Sequence, residues 1–171
     1  MTSQPVLAQL AAGTAFIAGA AVSVPITRWL NTNRWRHDDE PGATHIRAWV
    51  AALLVGAVAA GAVLPLVTAS WWPAAVAAFV LAVTAYPAAV IDGAVRRVPE
   101  PLVLTCYGAI GATLTVGAAV TGMWASLWRS AASGVILWVG FFLYALLGSM
   151  GFADVQLMGL VGLVLGWVSW P

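Results

Sequence analysis

Residues 102–123 read LVLTCYGAIGATLTVGAAVTGM, a run of 22 residues without one charged side chain. A helix needs roughly 20 consecutive apolar residues to cross the hydrocarbon core of a bilayer, and this run has that length. The rest of the chain has the same character, since the 171 residues together are 62% hydrophobic and only 8% charged. A soluble domain carries about 25% charged residues. The composition therefore excludes a soluble domain and predicts an integral membrane protein.

Five further apolar segments flank this run. They cover residues 6–26, 49–69, 72–91, 131–147 and 155–170. A backbone that crosses lipid must satisfy its own hydrogen bonds, so only helices and closed barrels span a bilayer. The segments are continuously apolar, whereas the strands of a barrel alternate apolar and polar residues. The sequence predicts an all-α, polytopic membrane protein of about six transmembrane helices, with residues 1–171 forming a single transmembrane domain.

The arginines predict the orientation of these helices, because the chain contains no lysine. Six of the seven fall in two connections, a short loop of residues 28–48 and the turn after the third segment: Arg28, Arg34, Arg36, Arg47, Arg96 and Arg97. If every segment spans, these connections lie on one face, which the positive-inside rule makes cytoplasmic. The N-terminus is then outside, Arg129 lies near the outer face, and the connection that ends at Asp154 lies inside.

Small residues recur along the last segment, where Gly159, Gly162 and Gly166 follow at helical spacing. Glycines at such spacing let membrane helices approach closely, so they predict a tightly packed face. The single cysteine, Cys106, lies inside an apolar run and is interpreted as a small buried thiol, because one cysteine forms no intramolecular disulfide.

The six acidic residues form two groups. Three follow His37 in the loop of residues 28–48: Asp38, Asp39 and Glu40. A metal site is one interpretation of this run, but adjacent residues rarely converge on one ion, so we prefer a solvated loop and predict no metal. The other three lie at predicted cytoplasmic helix ends: Asp92, Glu100 and Asp154. An ionisable residue at membrane depth is costly and indicates function.

A structural role explains Asp92 and Asp154 unequally well. Asp92 ends an inward-running helix, where the negative end of the helix dipole disfavours a carboxylate. Its alternative interpretation is an interfacial residue beside Arg96, one turn later. Asp154 begins the sixth segment, where an aspartate caps free N–H groups well. Helix capping and catalysis therefore explain Asp154 equally well when it is considered alone.

Two carboxylates at one depth form a chemically competent pair if they meet. They share a proton, because two like charges at short distance cannot both ionise cheaply, and they hold a water molecule between them. One carboxylate takes a proton from the water while the other donates a proton to the peptide that is cleaved. This chemistry needs no metal, no cofactor and no serine or cysteine nucleophile.

Two stretches resemble the aspartate motifs of the type IV prepilin peptidases. Residues 92–102, DGAVRRVPEPL, are similar to the first motif, in which Asp is followed by basic residues and then by Ile/Val-Pro-Asn-x-Leu. Residues 151–162, GFADVQLMGLVG, are similar to the second, a Gly-x-Gly-Asp-Val-Lys-Leu segment that enters a glycine-rich helix. Both motifs stand in order on the same predicted face, and the resemblance covers residues 86–167.

The resemblance implies a membrane-embedded aspartyl endopeptidase with Asp92 and Asp154 as its catalytic pair. Five residues support the motifs: Arg96, Arg97, Pro99, Gly151 and Ala153. The implied partner is a pilin-like precursor, cut after its short basic leader at the cytoplasmic membrane of a bacterium or archaeon. The bilayer is the other partner. Neither nucleic acid nor a cofactor is implied.

The chain also departs from the family pattern. Ala153, Gln156 and Glu100 replace the usual glycine, lysine and asparagine, and the loop of residues 28–48 lacks the cysteines that accompany N-methylation in bifunctional members. The chain ends one helix after Asp154, which leaves a natural short form, a truncated sequence and a degenerate enzyme open. The alternative functions are an inactive homologue that acts as a membrane partner and a small proton-coupled transporter, although a transporter is expected to place acids nearer the midplane.

Ala153 gives one prediction about backbone geometry. A glycine at this motif position serves either a positive φ angle or a close approach without a Cβ atom. Alanine strongly disfavours the first and nearly permits the second. If the enzyme works as its sequence stands, Ala153 has a negative φ.

Overall fold

The chain forms six α-helices in a computed structural model, which describes residues 3–32, 34–35, 45–68, 71–96, 98–148 and 151–168. The helices are α1 (Ser3–Asn31), α2 (Ala48–Thr68), α3 (Trp72–Val95), α4 (Glu100–Thr121), α5 (Trp124–Ala145) and α6 (Phe152–Trp167). Five of them are long and apolar enough to cross a membrane, and α6 is a shorter apolar helix. The described residues contain no strand. The predicted all-α, polytopic membrane protein is confirmed, while the outside location of the N-terminus stays a prediction.

Three helix ends extend furthest beyond the predicted segments. Helix α1 continues past residue 26 to Asn31, α3 continues past residue 91 to Val95, and α5 begins at Trp124 rather than at residue 131. Apolar runs mark the hydrocarbon core, but a helix keeps its internal hydrogen bonds into the headgroup region, where polar residues are accepted. As a consequence, Asp92 lies inside the last turn of α3 and Arg129 lies inside α5.

The described residues form two compact units. The first unit comprises the described residues of Met1–Ser70 and Ala82–Pro99, and the second comprises those of Trp71–Leu81 and Glu100–Pro171. Helix α3 therefore contributes its beginning to the second unit and its end to the first. The single-domain organisation over residues 1–171 and the core of residues 86–167 stay predictions.

Helices α1 and α2 of the first unit meet at two glycines. A Cβ atom on Gly19 would lie 3.1 Å from the Cβ of Ala59 and 3.2 Å from the carbonyl oxygen of Val55. A Cβ atom on Gly56 would lie 2.9 Å from the carbonyl oxygen of Phe16. An added methyl group would be tight at Gly19 and would overlap the Phe16 carbonyl at Gly56, so the glycines allow the two backbones to approach closely.

Two polar contacts hold together one end of the first unit, where α1 ends and α2 begins. The Asn31 side chain donates to the carbonyl of Ile46 (3.0 Å) and accepts from its N–H (3.1 Å), which joins the end of α1 to the residues before α2. The hydroxyls of Thr27 and Tyr86 lie 2.8 Å apart. Because Thr27 already donates to the carbonyl of Ser23, Tyr86 is the donor of the second bond. This contact links the end of α3 to α1.

The second unit is built around the pair α5 and α6. A Cβ atom on Gly162 would lie 2.6 Å from the carbonyl oxygen of Ser133, and one on Gly166 would lie 2.7 Å from the Cα of Ser130. Ser130 also donates its hydroxyl to the carbonyl of Leu163. The predicted packing role of the glycines in the last helix is confirmed, and the serines of α5 provide the opposite surface.

Candidate active site

Asp92 lies in the last turn of α3 with an exposed side chain. Its carbonyl accepts a hydrogen bond of 2.7 Å from the N–H of Arg96, the first residue beyond the helix. Arg96 has a φ of 53°, and it is the one described residue other than glycine with a positive φ. This is the left-handed helix end in which a single bond closes the final turn, a position normally held by glycine. The main chain after Asp92 is thus turned sharply.

An arginine in this conformation is strained by roughly 1–2 kcal/mol relative to glycine. A left-handed residue that is not glycine indicates either a constraint on the backbone or a use for the side chain. Arg96 is exposed, so its guanidinium group is available to other molecules. Pro99 is half-buried and directly precedes α4. Arg97 of the same predicted motif lies outside the described residues.

Asp154 is the third residue of α6, not its cap. The cap position is held by Gly151, with φ −75° and ψ 150°, and the N–H of Asp154 donates to the Gly151 carbonyl at 3.1 Å. Helix capping, one of the two interpretations of Asp154, is therefore wrong, because the helix begins earlier than the apolar segment. Asp154 nevertheless stands in the first turn, where a carboxylate complements the positive end of the helix dipole.

The Asp154 carboxylate is half-buried and folds back over the cap residue. A Cβ atom on Gly151 would lie 3.6 Å from Oδ2 of Asp154, so a small residue there leaves room beside the carboxylate. Ala153, next to Asp154, is helical and does not have a positive φ. The prediction of a negative φ at Ala153 is confirmed, while the requirement for space at this motif position stays a prediction.

Three aromatic rings pack together at the start of α6. Trp138 stacks on Phe142 with ring centroids 5.1 Å apart. Phe152, the first residue of α6, meets both rings edge-on, at 6.3 Å and 6.5 Å. Edge-to-face and stacked aromatic pairs at these distances are attractive. We call these three residues the aromatic cluster, and it holds the first turn of α6 against α5.

Helix α4 contacts the same region through Tyr107. The Tyr107 hydroxyl donates to the main-chain carbonyl of Gln156 at 2.7 Å, two residues after Asp154. The hydroxyl lies over Gly159, where an added methyl group would overlap it and would lie 3.1 Å from Cδ1 of Trp138. An apolar cavity of about 350 Å³ opens beside this contact, lined by Tyr107, Ala131, Gly134, Val135, Trp138 and Leu163.

The two predicted motifs therefore occupy different helix ends, one at the end of α3 and the other at the start of α6. A comparison with protein-family models matches residues 79–171, more than half of the chain, to the type IV leader peptidase family. The chain belongs to the type IV leader peptidase family. The matched region contains Asp92 and Asp154 with their surrounding motifs. Searches of curated proteins and of solved structures give no significant match.

Membership of the family makes the chain a leader-peptidase-like protease in general terms. Asp92, Arg96 and Pro99 belong to the first compact unit, whereas the second motif belongs to the second. The pairing of the two carboxylates therefore stays a prediction. Among the described residues, no group of three or more histidine, cysteine or acidic side chains could hold a metal ion. The loop run from His37 to Glu40 lies outside those residues.

The sequence did not reveal the residues that hold the start of α6. Tyr107 and Trp138 lie in apolar runs, where an aromatic residue is ordinarily a packing residue. The available signal was the Tyr107 hydroxyl, because a polar group in such a run needs a hydrogen-bond partner. Its partner is a main-chain carbonyl, and no side-chain pattern marks such an acceptor.

Proposed function

We propose that the chain is a membrane-embedded aspartyl endopeptidase that removes the leader from type IV pilin-like precursors at the cytoplasmic membrane face. The observation that carries the proposal is the family match over residues 79–171, which contains two aspartates, each within one turn of a helix end. Family membership supports the protease and the prepilin-like substrate. The helix-end positions support acids that reach the membrane surface.

The order of the helices supports a common face for both aspartates. Asp92 lies in the last turn of α3, and Asp154 lies in the first turn of α6. Helices α4 and α5 lie between these two helices in the chain. Each has 22 residues, which is enough for one crossing of the bilayer. Two crossings return the chain to the face that it left. Under the positive-inside rule, the arginines next to Asp92 make this face cytoplasmic.

The proposed reaction is hydrolysis of one peptide bond by a water molecule held between the two carboxylates. One carboxylate takes a proton from the water, whose oxygen adds to the carbonyl carbon of the peptide. The other carboxylic acid gives its proton to the carbonyl oxygen, which forms a tetrahedral diol. When the diol collapses, the carboxyl group that took the water proton gives it to the leaving nitrogen, and a diol hydroxyl returns its proton to the other carboxylate. The carbon–nitrogen bond breaks, and a carboxylic acid and an amine leave. No metal or cofactor takes part in this sequence of steps.

The proposed substrate is a precursor with a short basic leader followed by an apolar helix in the bilayer. An enzyme embedded in the same cytoplasmic membrane of a bacterium or archaeon can meet such a bond where leader and helix join. The main proposed role of Arg96 and Arg97 is to keep this end of the helix at the cytoplasmic face. Their second proposed role is contact with lipid headgroups or with the substrate.

The test is cleavage of a co-expressed pilin-like precursor by the wild-type chain and three variants. Asp92→Asn and Asp154→Asn should each lower the cleavage rate by roughly 10²–10⁴-fold, because general acid–base groups contribute that much. Glu100→Gln is the matched control, since Glu100 is an exposed acid in the first turn of α4, and it should cleave normally. Membrane insertion should be equal in all four proteins.

Two outcomes would contradict the proposal. If either aspartate variant keeps most of the wild-type rate, the two-aspartate mechanism is wrong. If the wild-type chain cleaves none of a panel of precursors, the chain is an inactive homologue that acts as a membrane partner, or it has the alternative transport function.

A further inference from the structure

The Tyr107 hydroxyl makes a contact between α4 and α6 that is additional to the helical hydrogen bonds. Tyr107 lies in the apolar helix α4, next to the buried Cys106. Its hydroxyl donates to the Gln156 carbonyl at 2.7 Å. A carbonyl oxygen has two lone pairs, so it accepts both from Tyr107 and from the N–H four residues later in α6. The bond therefore adds a link without opening α6.

This bond acts on the turn that carries Asp154. Gln156 follows Asp154 by two residues, which is about 3 Å along a helix axis. Because the acceptor is the main chain, the link is independent of the side chain at position 156, where the motif usually has lysine. Gly159 is the complementary residue, since any larger side chain there would overlap the hydroxyl. Tyr107 and Gly159 thus fix how α4 and the first half of α6 meet.

We propose that Tyr107 is a positioning residue, which holds the first turns of α6 against α4 and thereby sets the place of the Asp154 carboxylate. The inference rests on the proposed function of Asp154. Catalytic groups need a geometry held within about 0.5 Å, and a displacement of about 1 Å can lower a rate by 10²-fold. The aromatic cluster holds the same turn from α5, so loss of the Tyr107 bond loosens the turn without unfolding it.

The first experiment replaces Tyr107 by phenylalanine, which removes the hydroxyl and keeps the ring. With purified protein in liposomes, Tyr107→Phe should lower kcat by about tenfold and leave KM for a precursor unchanged. Thr113→Val is the matched control, because the Thr113 hydroxyl bonds to the carbonyl of Ala109 within α4 alone. It should keep the wild-type kcat. A Tyr107→Phe variant with a normal kcat per folded molecule overturns the inference.

A second variant tests the contact with Gly159. Gly159→Ala should lower kcat, because the added methyl group overlaps the Tyr107 hydroxyl. The same change in a Tyr107→Phe background should be less damaging, because the overlapping oxygen is gone. Residues in contact show this non-additivity, and independent residues do not. Additive effects of the two substitutions would contradict the proposed contact.

A third measurement needs no substrate and separates this inference from the proposed function. A carboxyl-directed labelling reagent, read by mass spectrometry, should modify Asp154 several-fold faster in Tyr107→Phe than in wild type, because a looser turn exposes its half-buried carboxylate. Glu100 is the internal reference and should label equally in both proteins. Faster labelling in a chain that cleaves nothing supports the positioning role and refutes the protease. Equal labelling of Asp154 overturns the positioning role.

Discussion

The end of α3 and the start of α6 each carry one aspartate, and they are held in different ways. Around Asp92, the main chain determines the geometry: a left-handed Arg96 closes the helix, and the carboxylate is exposed. Around Asp154, side chains from α4 and α5 determine it, through the Tyr107 hydrogen bond and the aromatic cluster. Changes to the backbone should therefore affect the surroundings of Asp92 most, and changes to side-chain packing should affect those of Asp154.

The largest effect is expected from the packing of α6 on α5. Gly162→Ala should destabilise the protein by about 1–3 kcal/mol, because its methyl group would lie 2.6 Å from the Ser133 carbonyl oxygen, which no side-chain rotation can relieve. The rate of precursor cleavage should fall together with the stability. The measurement is reversible unfolding in detergent.

The matched control for this prediction is Gly140→Ala in α5. A Cβ atom on Gly140 would meet nothing within 4 Å, so its stability should stay within about 0.5 kcal/mol of wild type. Equal stabilities for Gly162→Ala and Gly140→Ala would show that the stability does not depend on the close packing of α6 on α5.

A smaller effect is expected at Ala153, beside the second aspartate. Ala153→Leu should lose activity, because a large side chain fills the space next to Asp154, while the fold persists. Ala153→Gly should keep activity with a slight loss of helix order, because the φ of Ala153 is not positive and glycine is not required there. A leucine variant that cleaves normally would refute the space requirement. If the wild-type chain is inactive and the glycine variant cleaves the precursor, the natural sequence is that of an impaired protease.

The smallest effect is expected at the main-chain turn after Asp92. Arg96→Gly and Arg96→Ala remove the same charge, but only glycine accepts a φ of 53° without strain. The glycine variant should therefore be more stable than the alanine variant by about 1 kcal/mol. Unfolding in detergent measures this difference directly. Equal stabilities would mean that α3 does not end in a left-handed residue.

The sequence predicted the architecture because lipid imposes it. Continuous apolar runs such as residues 102–123 identify helices, and the cost of acids in lipid makes Asp92 and Asp154 the candidate site residues, which stays a prediction. Helix ends were less predictable, since α5 begins at Trp124 where the hydrophobic run had not yet started. Hydrophobicity reports the thickness of the hydrocarbon core and not the extent of hydrogen bonding.

The surroundings of the aspartates could not be predicted for two reasons. Arg96 occupies a helix end that glycine usually marks, so its sequence gives no sign of the left-handed turn. Tyr107 bonds to a main-chain carbonyl, and such an acceptor exists at every residue. Side-chain patterns predict the chemistry, whereas these two contacts depend on how the helices meet.

We propose that Asp92 and Asp154 act together on one water molecule, and cross-linking in native membranes measures whether the two positions meet. In a Cys106→Ala background, Asp92→Cys with Asp154→Cys should be joined by a short thiol-specific reagent. Thr27→Cys with Tyr86→Cys is the positive control, because those hydroxyls lie 2.8 Å apart. Asp92→Cys with Met123→Cys, predicted on opposite faces, is the negative control. Efficient joining of the aspartate pair is the predicted result. Joining of the positive control alone, with the two aspartate positions more than ~10 Å apart, would leave no place for a shared water and contradict the account.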